Sequence, residues 1–316
     1  MSAPPPGGGT GAIKEGPEAE QAIDESRRKT TPRPQQARSE DFQRLSPEPG
    51  VLDETAFTEG FSADRDAALR TLGAAHGSSD RRLRELAKRL AGRVVVDLAR
   101  GDHAPRRGID RLERGRWVEG ADLDLETSLD ALVDARMGDR PVDLDRLVAS
   151  SWVRSEHALA LVIDRSGSMS GDRLVAAALA TAVMACRAPQ DYSIIAMARD
   201  AIVVKAQDRD RDIEAVIDDV LALRGHGTTN VELGLQAAAA QLERSRSSRR
   251  IAVLLSDGNV TAGGDPADAA RRLDELHVIC PPDSPAATEL ARVGGGRSVE
   301  LGGPSSVPDA LLQLLR

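Results

Sequence analysis

Three oxygen-bearing side chains stand two residues apart in the run Asp164-Arg165-Ser166-Gly167-Ser168-Met169. One carboxylate and two hydroxyls at that spacing, in a turn that Gly167 lets tighten, can point at a common centre. A second carboxylate occurs in Ser256-Asp257-Gly258. A Gly-containing loop, Gly225-His226-Gly227-Thr228-Thr229-Asn230, adds hydroxyls, of which Thr229 can serve as a further donor. Every donor in this set is oxygen, and hard-oxygen ligation selects Mg²⁺, Mn²⁺ or Ca²⁺ over zinc. Two carboxylates roughly neutralise a divalent ion and hydroxyls add no charge, so the ion stays electrophilic and keeps a coordination position for water. Taken singly, each piece is an ordinary turn or strand exit, since Asp, Ser and Gly dominate turns. Their joint occurrence at strand ends is what points to a site.

Both carboxylates follow short, nearly continuous apolar runs, residues 158–164 (ALALVID) and 251–255 (IAVLL), as expected of strands buried on both faces. From residue 155 onward such runs alternate with helical patterns. Helices are predicted over 172–186, 213–223, 231–242 and 266–276, and strands over 193–198 and 201–206. The segments 277–280, 286–293, 298–301 and 307–315 continue the alternation. The predicted fold class is α/β, a doubly wound and mostly parallel sheet with helices on both faces. In such sheets ligands bind beyond the carboxyl ends of the strands, where Asp164 and Asp257 fall.

Ahead of this domain the pattern changes twice. Residues 1–55 are rich in Pro, Gly, Glu, Arg and Ser without a sustained apolar period, and read as a disordered tail whose removal leaves stability nearly unchanged. The basic cluster Arg27, Arg28, Lys29, Arg33 and Arg38 reads as solvated. Residues 56–154 read as a mainly helical accessory region. Ser62 is its first candidate N-cap, and Leu83, Leu86, Ala87, Leu90, Ala91, Val94, Val95 and Leu98 form one apolar stripe. A Gly- and Arg-rich connector over 101–122 leads to a short helix that starts at Asp122 and is stopped by Gly138 and Pro141. An edge strand falls within 142–153, and the α/β domain occupies 155–316.

The Asp-x-Ser-x-Ser turn, the loop threonine and the late Ser-Asp-Gly together resemble the metal-ion-dependent adhesion site of von Willebrand factor A (VWA) domains. The resemblance covers roughly residues 155–316 and implies a Rossmann-like VWA fold with metal positions at Asp164, Ser166, Ser168, Thr229 and Asp257. Thr229 is taken over Thr228 on its distance to Gly234-Leu235. The family loop usually runs Gly-Gly-Thr, whereas this chain has Gly-Thr-Thr. The implied cofactor is Mg²⁺ (or Mn²⁺ or Ca²⁺), and the implied partner is a protein whose Asp or Glu completes the metal shell. The stretch 122–136, followed closely by the first strand of the domain, resembles bacterial VWA proteins associated with MoxR-type AAA+ ATPases, relatives of magnesium-chelatase-like VWA subunits. That resemblance implies an adaptor for such an ATPase in assembling or activating another protein. The alternative is a non-ATPase VWA subunit of a metal-chelatase-like complex.

Other function classes fit less well. Aromatic residues are only 2% of the 316, so the core must be built from Leu, Val, Ile and Ala, and a net charge of -8 argues against nucleic acid as the main partner. Cys186 and Cys280 lie outside any CxxC pattern and read as free thiols in a reducing compartment. The N-terminal MSAPPPGGG lacks a basic segment followed by an apolar one. The longest apolar run, 175–186, is short of the ~20 residues needed to cross a bilayer. The expectation is a cytoplasmic protein without a membrane partner. Ser166 stands where a phosphotransfer enzyme usually has a second acid. The five histidines are scattered, and neither a Gly-x-Ser-x-Gly elbow nor a Walker A loop occurs. The chain is therefore expected to be a binding module rather than an enzyme, with His226 at the rim of the site and Arg165 either facing a partner carboxylate or solvated.

Overall fold

The computed structural model describes residues 11–100, 111–116, 123–138, 141–153, 157–165, 172–223, 225 and 227–315. The elements begin with β1 (Ile13–Lys14), α1 (Pro17–Arg27), α2 (Arg33–Gln36), α3 (Glu40–Leu45), α4 (Glu54–Ala63), α5 (Arg65–His76) and α6 (Arg81–Arg100). β2 (Arg111–Arg116), α7 (Leu125–Met137) and β3 (Val148–Val153) follow. The rest of the chain runs through β4 (His157–Asp164), α8 (Asp172–Arg187), β5 (Tyr192–Met197), β6 (Ala201–Lys205), α9 (Ile213–Ala222) and α10 (Val231–Leu242). It ends with β7 (Arg249–Leu255), α11 (Pro266–Ala270), β8 (Glu275–Cys280), α12 (Pro285–Val293), β9 (Gly295–Glu300) and α13 (Val307–Leu314). The chain divides into two compact units, Met1–His103 with His157–Arg316, and Ala104–Glu156.

The larger unit is built on a seven-stranded sheet of order β1-β6-β5-β4-β7-β8-β9. Only β5 and β6 pair antiparallel, through a tight turn in which Ala198 N donates to Asp200 O at 2.9 Å; the other pairs are parallel. This is the doubly wound α/β class that the alternation predicts. Side-chain alternation along β4 feeds two separate cores. Leu159, Leu161 and Ile163 pack with α8, α9 and α13 on one face, and Ala158, Ala160 and Val162 pack with α10, α11 and α12 on the other. A strand covered on both faces has to be apolar throughout, which is why the β4 and β7 sequences read as continuous runs. The helix predicted over 266–276 is shorter: α11 ends at Ala270, and the chain turns into β8 at Glu275.

Helix α8 has no polar face. Residues 174–185 are all buried, because the sheet lies on one side and α5 and α6 on the other. Gly73 of α5 permits that approach, since a Cβ there would sit 3.0 Å from Val175 Cγ2.

Two expectations are corrected here. Residues 11–55 are not a disordered tail. β1 extends the sheet beside β6, with Ala201 N donating to Ala12 O at 3.0 Å and Lys14 Nζ 2.9 Å from Asp200. Ala19 and Ile23 of α1 and Phe42 and Leu45 of α3 are buried in the same core as α5, α6 and α8. Arg27 pairs with Asp218 at 2.7 Å and with Asp219, and Arg33 donates to Ser46 Oγ at 2.8 Å, so these two members of the basic cluster are structural. Each short helix supplies only one or two apolar residues to a core assembled elsewhere, so no local period reveals it. The helical accessory region over 56–154 is also divided, with α4, α5 and α6 belonging to the sheet's unit. Ser62 lies inside α4, donating to Thr58 O at 2.9 Å, and the N-cap of α5 is Asp64, which accepts from Ala67 N at 3.0 Å.

In the smaller unit, β2 pairs antiparallel with β3 from Arg111↔Val153 to Arg116↔Val148. The strand expected within 142–153 is thus part of a separate two-stranded sheet. Asp124 caps α7 by accepting from Thr127 N at 3.0 Å, and Gly138 follows its last residue. Most of the Arg-rich connector lies outside the described residues.

Deleting residues 1–50 removes four buried apolar side chains and uncovers those they pack against. Each such burial is worth about 1.5–3 kcal/mol for the large residues, so the melting temperature should fall by roughly 10 °C or more. Scanning calorimetry checks this, and an unchanged melting temperature would mean that the segment does not dock.

A second expectation concerns Asp218, which is almost fully buried. His76 Nε2 lies 2.9 Å from Oδ1, and Lys88 Nζ (2.9 Å) and Arg27 Nη2 (2.7 Å) lie against Oδ2. Burial alone would raise its pKa, but the hydrogen bonds from His76 and Lys88 and the charge of Arg27 hold the carboxyl well below the usual range. A depressed folded-state pKa contributes stability that is present above the ordinary value and lost as pH falls toward the folded one. Asp218→Asn should therefore destabilise the protein by about 1–3 kcal/mol at neutral pH. In urea titrations, that gap should stay constant down to about pH 5 and shrink below about pH 4.

Candidate functional site

Asp164 is the last residue of β4, and its neighbour β7 ends one residue before Ser256, with Ile163 paired to Leu255. The two strand exits are tied together at that level. Ser256 Oγ donates to Asp164 Oδ2 at 2.8 Å and accepts from Gly258 N at 3.1 Å, while Ser256 N donates to Ile279 O on β8. Arg165 N donates to Met197 O at the end of β5. The chain leaves β4 for β5 on one side and returns to β7 on the other, so the crevice between β4 and β7 is a topological switch point, the place where ligands bind in open parallel sheets.

Asp257 projects from the turn after β7. Its Oδ1 accepts from Asn259 N at 3.0 Å, and its Oδ2 lies 3.9 Å from Arg173 Nη2 at the start of α8. Gly258 makes that turn possible. Its φ is +78°, and a Cβ there would lie 2.6 Å from Ala287 N of α12. Asp164 and Asp257 line one cavity of about 260 Å³, together with Asp172, Arg173, Cys280 and Gly303.

Thr229 sits in the loop before α10 and is 4% exposed, whereas Thr228 is exposed. Its loop is laced to the segment after β7. Thr229 N donates to Thr261 Oγ1 at 2.7 Å, and Thr229 O accepts from Thr261 N and Ala262 N, both at 3.1 Å. The next residue, Asn230, caps α10 by accepting from Leu233 N at 3.0 Å. Gly234 lets α10 lie close on the sheet, since a Cβ would come 2.6 Å from Met197 Sδ and 3.0 Å from Val162. Thr229 is thus held beside the Asp257 loop without lining the cavity itself. Ser166, Ser168 and His226 lie outside the described residues. Arg165 is not solvated: it is 7% exposed, and burial lowers its pKa against the pull of Asp200.

The donor chemistry at the two strand ends fits a hard divalent ion. Both carboxylates are oxygen donors, and burial pushes the Cys280 thiol up in pKa, keeping it protonated and a poor metal ligand. Among the described residues, no three Asp, Glu, His or Cys side chains stand close enough to share one ion, so hydroxyls and water would have to complete a shell around Asp164 and Asp257.

Three residues of this site receive no role from the motifs alone, Ser256 although it stands within one. Ser256 could have been found from the register, because a polar residue one step beyond a fully buried strand faces its neighbour's exit. Asp172 and Arg173 carry no motif. They reach the cavity only because α8 starts beside it.

The von Willebrand factor type A domain family matches residues 159–259, a span that runs from β4 through both carboxylates. Residues 159–259 thus correspond to a von Willebrand factor type A domain. No curated protein matches the chain. Solved structures that do resemble it include an aerotolerance-related membrane protein from Bacteroides fragilis, at 18% identity and a TM-score of 0.42, over 50% of this chain and 98% of that one. A von Willebrand factor type A protein from Catenulispora acidiphila is 19% identical with a TM-score of 0.40, over 51% of this chain and 42% of that one. The manganese-loaded TRAP protein of Plasmodium vivax is 17% identical with a TM-score of 0.37, over 48% of this chain and 67% of that one. Among the described residues, no helix is long and apolar enough to cross a membrane.

Within the VWA domain, the turn after β7 admits only glycine at position 258. Gly258→Ala combines a left-handed backbone, costing about 1–2 kcal/mol for an L-residue, with a clash against the α12 backbone. The variant should lose roughly 2 kcal/mol or more in chemical denaturation. A loss below a few tenths of that figure would mean the turn can relax away from α12.

Proposed function

We propose that the VWA domain is a metal-dependent protein-binding module. In this reading Asp164, Ser166, Ser168, Thr229 and Asp257 hold Mg²⁺, with Mn²⁺ or Ca²⁺ as substitutes, and a partner protein supplies an Asp or Glu to the remaining position. The observation that carries it is the pair of carboxylates at adjacent parallel strand ends, Asp164 and Asp257, lining one cavity at the switch point. When bound, the ion supplies an electrophilic centre for a carboxylate. The chain's own residues do the rest. Ser256 orients Asp164 through its hydrogen bond, and the Asn259 amide orients Asp257. The loop holding Thr229 is fixed by its ladder to Thr261 and Ala262. On this reading the site serves binding rather than catalysis, its side chains holding an ion and a partner's carboxylate.

The partner system that fits the resemblance of the 122–136 stretch is a MoxR-type AAA+ ATPase, with the VWA protein as adaptor for assembly or activation of a third protein. A chain of net charge -8 with this site fits a protein partner better than nucleic acid or a membrane surface.

Two measurements test the reading together. Calorimetry should give one Mg²⁺ bound per chain and none for Asp164→Ala, which loses half of the carboxylate charge at the site. Capture of the candidate ATPase and its client by the wild-type chain should need Mg²⁺, fall with a chelator, and fall for Thr229→Ala. Equal capture under all of these conditions would show that the metal is not part of recognition. Unchanged Mg²⁺ affinity in Asp164→Ala would remove the site assignment itself.

A further inference from the structure

Helix α5 reaches from the N-terminal layer to the rim of the carboxylate cavity. Asp66 and Arg70 are four residues apart and share one face of that helix. Asp66 Oδ1 accepts from Ser305 N at 2.7 Å, and a Cβ on the cavity-lining Gly303 would strike the same carboxylate. One turn further on, Arg70 Nε donates to Asp172 Oδ1 at 2.5 Å. Asp172 is the first residue of α8 and lines the same cavity as Asp164 and Asp257. A third carboxylate therefore stands at the edge of the cavity, hydrogen-bonded to a guanidinium from another layer of the fold.

This arrangement matters because of charge and coordination number. Asp164 and Asp257 already balance a divalent ion. A third carboxylate that reached the ion would add negative charge to its shell and occupy the position that a partner's carboxylate needs. The Arg70–Asp172 pair is half exposed, with side chains 50% and 51% accessible, and a pair so exposed contributes little to stability. Fold stability is thus a weak reason for an arginine at this position.

We propose that Arg70 is a positioning residue that holds Asp172 away from the metal position and so keeps the coordination site open for a partner's carboxylate. The inference rests on the metal-binding reading above. Without Arg70, Asp172 turns inward and becomes an internal competitor. Metal binding then strengthens while the ion loses an inner-shell water, and carboxylate capture weakens. A purely structural role for Arg70 would move metal affinity downward or not at all.

The experiment uses the full chain with metal alone as the probe. Mg²⁺ affinity is measured by calorimetry, and inner-shell water is measured by water-proton relaxation on bound Mn²⁺. The proteins are wild type, Arg70→Ala, Arg70→Lys, Asp172→Asn and the Arg70→Ala/Asp172→Asn double variant. Arg70→Ala should bind Mg²⁺ roughly tenfold more tightly, as one added carboxylate ligand implies, with a lower relaxation enhancement per bound Mn²⁺. Arg70→Lys, which keeps the charge, should stay close to wild type. In the Asp172→Asn background the Arg70 substitution should have no further effect, so the double variant should match Asp172→Asn in both readouts. The melting temperature of Arg70→Ala should stay within about 3 °C of wild type. Unchanged or weaker Mg²⁺ binding in Arg70→Ala with an unchanged water count overturns the proposal while leaving the metal site standing. A tighter Arg70→Ala whose gain survives in the double variant also overturns it, because the added ligand is then not Asp172. Failure of the wild-type chain to bind either ion overturns the metal reading and this inference with it.

Discussion

The strand β4 has to be apolar until the sheet ends. It lies at the centre of the sheet with helices packed on both faces, so each side chain from Ala158 to Ile163 enters one of two cores. Asp164 is the first position where a carboxylate can be accommodated, and there it meets Ser256 from the equally buried β7. The chemistry of the molecule is therefore placed by packing. Polar groups gather where two buried strands run out of cover, and the reversal of strand order at β4 opens the crevice into which they face.

That cover is thicker on one face than a two-layer domain requires. The helices that follow the sheet's strands would leave the outer side of α8 exposed, and its alanine-rich sequence has no polar face to offer water. The N-terminal helices resolve this. α5 and α6 close over α8, α1 and α3 fill the edges, and β1 adds a strand beside β6. The layer is keyed to the domain by charge as well as by apolar contact. Asp218 of α9 gathers Arg27, His76 and Lys88 from α1, α5 and α6, so a single buried carboxylate orients three helices of the N-terminal layer. Such a group is costly to bury alone and becomes favourable only when all its partners are in place. The same layer touches the carboxylate cavity through Asp66 and Arg70, and the N-terminal helices and the candidate site are therefore parts of one construction.

The motif residues divide according to what holds them. Asp164 and Asp257 are fixed by strand ends and by hydrogen bonds to Ser256 and the Asn259 amide. Thr229 is buried in a loop that a backbone ladder ties to Thr261 and Ala262, which distinguishes it from the exposed Thr228. Glycines mark the points of closest approach. Gly234 lets α10 lie on Met197 and Val162, and Gly258 turns the chain under α12.

The sequence by itself determined the α/β class, the two buried strands and the two carboxylates at their ends. These features follow from local rules: a strand covered on both faces reads as a continuous apolar run, and the first acid after it marks the sheet's edge. It also carried the apolar stripe of α6, because a long helix with one buried face repeats its pattern many times. The docking of residues 11–55 was decided only by the tertiary structure. Ile23, Phe42 and Leu45 are too few and too scattered to show a period, and the surface they bury belongs to helices far along the chain. The cavity positions of Asp172 and Arg173 were decided in the same way, as was the pairing of Arg70 with Asp172 across 102 residues. Side chains brought together by the packing of separate layers leave no spacing in the sequence from which their meeting could be read.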